Sequence, residues 1–188
     1  MLSEKNKILK DLKLLFENQE DCDVVIRVKE KEFPVHRNIL KVRSPVFAST
    51  LRNDMKEKQT GIIDIQDCEP AVFSEFLRFL YYEEISNLSE ENVFGIFTLC
   101  DKYDVSDLRE ICMKFMKANL SVKTFGDTVT FALMHTESEL IKFCVDFFIK
   151  NAQKIIETVP WQSLLAQSPI QCNELFIKPL ASKNSLNA

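Results

Sequence analysis

Two side-chain types in this chain could carry covalent or metal chemistry: six cysteines, at positions 22, 68, 100, 112, 144 and 172, and two histidines, His36 and His135. A cysteine paired with an imidazole makes a nucleophile with its base, and four thiolate or imidazole ligands make a structural zinc site. The spacing supports neither. No two cysteines form a C-x-x-C unit, and neither histidine lies at metal-ligand spacing from a cysteine. A dyad at His36 would also need a group to orient the ring and a loop to receive an oxyanion, and the neighbouring residues supply neither. Most of the cysteines stand in apolar helical or strand patterns, which reads as buried, reduced thiols in a cytosolic or nuclear protein. His36 reads as a structural histidine bonded to a nearby backbone group. These residues predict no catalytic centre, no metal and no cofactor, and so no enzyme.

The elements that carry these residues are largely helical. Residues 4–17 have helical period, with Ile8, Leu12 and Leu15 on one stripe, Leu9 and Phe16 on a second beside it, and Lys5, Lys7, Lys10 and Lys13 on the remaining faces. Two apolar stripes exceed what one surface helix needs for its own core. Either both pack into the helix's own domain, or one meets another subunit. Val24, Ile26 and Val28 alternate as on a strand, Lys29 to Glu32 is a polar turn, and Glu32-Phe33-Pro34-Val35 returns as a second strand. From Arg37 the period becomes helical through Ile39, Leu40 and Val42. Ser44-Pro45 then restarts a helix, because a serine accepts free N–H groups of the first turn and proline suits the first helical position.

Arg52 to Gly61 is polar apart from Met55, and Ile62 to Ile65 is a third strand. Pro70 opens a helix carrying Phe73, Phe76, Leu77 and Leu80. Ser89 is expected to cap the next helix, which holds Val93, Ile96, Phe97, Cys100 and Tyr103 and should be central. Val105, Leu108, Ile111, Cys112, Phe115 and Met116 complete a helical hairpin with it. Further on, Thr136-Glu137-Ser138-Glu139 is a capping-box signature for a helix through Leu140, Cys144 and Phe148. Pro160-Trp161 opens a short one with Leu164 and Leu165. Past Ser168-Pro169 the pattern fades, and residues 182–188 are expected to fray.

Composition bounds the function. Of 188 residues, 46% are apolar and only three are glycine, which favours a packed, mostly helical core and argues against phosphate-cradling loops. The formal charge of −4 disfavours a nucleic-acid surface. There is no apolar run of membrane-spanning length, and the first residues are charged rather than signal-like.

Asp23-Val24-Val25, the stretch Phe33 to Phe47, Phe73 to Tyr82, and Asp101-Lys102-Tyr103-Asp104-Val105 stand in an order and at spacings that closely resemble the BTB (POZ) domain. The resemblance covers residues 4–118. Residues 119–180 resemble a 3-box followed by a partial BACK segment. Asn119-Leu120-Ser121-Val122 and Val159 to Leu164 bring the chain nearest to the speckle-type POZ adaptors, without the N-terminal MATH domain of those proteins. The resemblance implies an α/β (α+β) fold dominated by helices, in which strands 23–28, 32–35 and 62–65 form a small sheet covered by helices. Val24, Ile26, Phe33, Leu40, Phe47, Phe73, Leu77, Ile96, Phe97, Leu108 and Cys112 are expected in the core.

In function the resemblance implies a cytoplasmic or nuclear adaptor of a cullin-3 ubiquitin ligase. It would be homodimeric through Ile8, Leu12, Leu15 and Ile39. Its contacts with cullin-3 would come from the hydrophobic-x-Glu tripeptide Met55-Lys56-Glu57, from Tyr103 and from the 3-box. The substrate would be another protein, which the resemblance leaves unidentified. The alternative is a BTB oligomerisation module in transcriptional or cytoskeletal complexes.

Overall fold

The computed structural model describes residues 2–52 and 61–180, with side chains from residue 7 onward. The chain divides into two compact units, Met1–Cys112 and Met113–Ala188. The sequence expectation placed a domain boundary at 118/119. Among the described residues no helix is long and apolar enough to cross a membrane.

The first unit opens with α1 (Leu2–Asn18), followed by β1 (Val24–Val28), β2 (Lys31–Val35), α2 (Arg37–Arg43), α3 (Pro45–Thr50), β3 (Ile62–Ile65), α4 (Pro70–Tyr82) and α5 (Val93–Tyr103). Helix α6 (Ser106–Ala118) begins in this unit. The strands form a sheet in the order β2-β1-β3, with β1 antiparallel to β2 and parallel to β3. Val28 pairs with Lys31, so the hairpin turn has two residues, and Lys29 takes the left-handed conformation (φ 53°) that an Asn-Gly turn would have supplied more cheaply. One sheet face is apolar: Val24, Ile26, Val28, Phe33, Val35, Ile63 and Ile65 are all buried. On the other face Arg27 joins the strands by pairing with Glu32 on β2 (3.0 Å) and Asp64 on β3 (3.2 Å). All eleven residues expected in the core are buried.

Ser44 ties α2 and α3 to α5. Its hydroxyl accepts the Phe47 N–H (3.1 Å), the expected cap, and also donates to the Tyr103 carbonyl (2.6 Å). Helix α5 ends in a Schellman motif with Asp104 left-handed (φ 53°): Val105 N–H donates to the Cys100 carbonyl (2.9 Å). Ser89 does not cap α5 through its side chain. The helix starts later, at Val93, and Ser89 contributes its carbonyl to Val93 N–H (3.0 Å) while its own N–H donates to the Asn92 side chain (2.9 Å).

The second unit contains α7 (Phe125–Met134), α8 (Ser138–Ile155), α9 (Val159–Gln167), α10 (Pro169–Cys172) and a π-helical turn (Asn173–Ile177). Its core is aromatic: Phe125, Phe148, Trp161 and Phe176 pack with ring centroids 4.7–6.0 Å apart. Gly126 lets α9 approach α7 closely, since a Cβ there would overlap the Pro160 ring. The capping box at Thr136 does not form. Thr136 is the left-handed residue (φ 53°) of a second Schellman motif closing α7, in which Glu137 N–H donates to the Ala132 carbonyl (2.9 Å). Its hydroxyl donates to the His135 carbonyl (2.7 Å), and the N-cap position of α8 falls on Glu137, so Thr136 stands one residue too early to cap that helix. The weak pattern past Pro169 hid a buried residue, Phe176. Residues 182–188, expected to fray, lie outside the described residues.

Two substitutions probe these joints. Ser44→Ala removes a cap and leaves the Tyr103 carbonyl without its buried donor, and should cost about 2–3 kcal/mol of stability in urea titration followed by far-UV circular dichroism. Gly126→Ala forces α7 and α9 apart and should cost about 1–3 kcal/mol. Trp161 is the only tryptophan and lies in that unit, so its fluorescence should report an earlier transition in the variant.

Candidate functional site

The first unit leaves an apolar groove open. It has a volume of about 390 Å³ and is lined by α1, α2 and α4: Ile8, Leu9 and Leu12 from the first, Asn38, Ile39, Val42 and Arg43 from the second, and Leu80 and Tyr81 from the third, with Glu83 at its end. Ile8 is 61% exposed and Val42 84%. Ile8, Leu12 and Ile39 line this one groove, while Leu15 is half-buried and not part of the lining. The second stripe of α1 divides. Phe16 packs on the rings of Tyr81 (4.9 Å) and Tyr82 (6.0 Å), whereas Leu9 stays in the groove. Val42, Leu80 and Tyr81 were not singled out as site residues from the sequence; the helical periods of α2 and α4 carry Val42 and Leu80, and α4 continues past the break expected after Leu80 to include Tyr81.

Charged groups frame this apolar strip. Arg43 pairs with Glu83 (3.3 Å), donates to the Phe79 carbonyl (3.4 Å) and lies over the Phe79 ring. Lys13 pairs with Glu84 (3.4 Å) and lies over Tyr82. Both pairs are partly exposed, so each contributes little to stability, on the order of 1 kcal/mol or less.

The groove wall is held by His36. Its backbone N–H donates to the Tyr81 hydroxyl (2.8 Å), and its Nδ1 lies 2.8 Å from the same oxygen. Nε2 lies 2.7 Å from the Glu20 carbonyl, which only accepts, so Nε2 carries the proton and the Tyr81 hydroxyl donates to Nδ1. Burial pushes the Tyr81 phenol up to about 12, which keeps that donor in place. Beside it, Asp23 accepts the Arg37 N–H (2.7 Å) at the start of α2, where the helix dipole favours a carboxylate.

Cys22 Sγ lies 3.9 and 4.0 Å from the two His36 ring nitrogens, but both nitrogens are already engaged. Burial, with Asp23 and Asp21, pushes the Cys22 thiol up, away from the thiolate. Burial raises Cys68 to about 11 and Cys144 to about 12, and Cys172 also upward. Cys100 is raised by a hydrogen bond with Cys112 and by burial. All six cysteines are free, and among the described residues no three metal-ligating side chains cluster.

Of the residues assigned to a cullin contact, Met55, Lys56 and Glu57 lie outside the described residues. Tyr103 is in the core rather than on an open surface: it is 5% exposed, its ring stacks on Phe47 (4.2 Å, 12°), and Phe76 packs beside it (5.6 Å).

The BTB/POZ domain family matches residues 12–120. This chain belongs to the BTB/POZ domain family. Three Mus musculus proteins are similar to it over most of its length. TD and POZ domain-containing protein 1 is 33% identical over 88% of this chain, protein 3 is 31% identical over 96%, and protein 4 is 30% identical over 88%. The matched regions make up 46%, 50% and 45% of those relatives, so the chain spans about half of their length. Among solved structures, the BTB domain of zebrafish PATZ1 superposes with a TM-score of 0.54 at 23% identity, covering 63% of this chain and 96% of that one. BTB/POZ domains are interaction modules that self-associate and bind protein partners, which is the context for the open groove.

Tyr81→Phe would keep the ring against Phe16 but strand the His36 N–H. It should cost about 1–3 kcal/mol in urea titration, more than a conservative loss of one exposed hydroxyl.

Proposed function

We propose that this protein is a homodimeric adaptor that presents a protein substrate to a cullin-3 RING ubiquitin ligase. The observation that carries the dimer is the open groove, whose exposed Ile8 and Val42 stand next to Leu12 and Ile39. Large exposed apolar side chains gathered in one groove are characteristic of an interaction surface, and a second copy of the same helix face would desolvate them. The cullin contact rests on Met55-Lys56-Glu57, between α3 and β3, where a flexible methionine would fill a partner pocket and a carboxylate would orient it at the rim. The 3-box, beginning near Leu120, would extend that contact, and the substrate would be another protein. The similarity to TD and POZ domain-containing proteins supports an adaptor in general terms. The second reading, an oligomerisation module in a transcriptional or cytoskeletal complex, uses the same groove and needs no cullin contact.

The dimer is tested with Ile8→Asp and Leu12→Asp in sedimentation velocity. Each would bury an unpaired carboxylate at the interface, which costs several kcal/mol, so the dimer should weaken more than tenfold, by about 1.4 kcal/mol per factor of ten. Ile8 is exposed in the single chain, so Ile8→Asp should keep its circular dichroism spectrum. An unchanged dimer mass in Ile8→Asp would refute this interface.

The partner is tested by calorimetric titration with the cullin-3 N-terminal domain. Loss of a buried anchor of this kind contributes on the order of 2 kcal/mol or more, so Met55→Ala should bind roughly thirtyfold more weakly, and Met55→Asp weaker still. Glu57→Ala should have a smaller effect. Absence of wild-type binding at tens of micromolar would leave the oligomerisation module as the better account.

A further inference from the structure

We draw no further inference here: the strongest candidate, the cleft of about 330 Å³ between the β1–β2 turn, the segment after β3 and one side of α5, is flanked by lysine–carboxylate pairs (Lys29–Glu69 and Lys102–Asp67) that neutralise each other, and nothing in the structure points to a ligand for it.

Discussion

The Tyr81 hydroxyl accepts the backbone N–H of His36 and donates to the same residue's Nδ1, while the opposite ring nitrogen donates to the Glu20 carbonyl. One buried phenol therefore fastens α4 to the junction of β2 and α2, and the imidazole passes the connection on to the segment after α1. On its ring side Tyr81 packs against Phe16 of α1 and walls the groove. Each polar atom in this chain of contacts has a partner, and the alternative is an unsatisfied buried group, which is costly in a low-dielectric interior. The relative positions of α1, α2 and α4, and so the shape of the groove, depend on this arrangement.

A chain with three glycines must turn its helix ends by other means. Glu83, Asp104 and Thr136 take left-handed conformations at the ends of α4, α5 and α7. A non-glycine residue there costs roughly 1 kcal/mol or more. The cost is offset by the capping bonds it permits, such as Val105 N–H to the Cys100 carbonyl (2.9 Å) and Glu137 N–H to the Ala132 carbonyl (2.9 Å). At Thr136 this shifts the start of the following helix: the left-handed residue that closes α7 stands one position before Glu137, the N-cap of α8.

The groove gathers exposed apolar side chains in one place, while Leu14 on α1 and Ile111 on α6 are exposed outside it. The core aromatics and aliphatics of the sheet and central helices are covered, whereas Ile8 and Val42 are exposed in the groove, which the Arg43–Glu83 pair borders. Five of the six thiols are buried, and Cys22 is held beside an imidazole whose nitrogens are already used. The physical character of the domain is that of an interaction module, in agreement with its family.

Much of this was legible in the residues themselves. Period-two alternation marked the three strands, helical period marked α1 to α6, and eleven core positions followed from those periods, because burial of one face imposes its spacing on the sequence. Ser44-Pro45 announced its own cap, and the stripes of α1 announced more apolar surface than one core needs. Family membership also followed from residues in order. Only the tertiary structure decided which distant groups meet: the parallel pairing of β1 with β3, the phenol that meets His36, the second bond of Ser44 to the Tyr103 carbonyl, and the burial of Tyr103 against Phe47. It also decided that Thr136 closes α7 instead of opening α8, and that Phe176 completes an aromatic core from a segment with weak pattern. The physical reason is range. Periodicity and capping are local and written in neighbouring residues, whereas the choice of a hydrogen-bond or ring partner tens of residues away is settled by packing, which many local patterns would permit and only the assembled core selects.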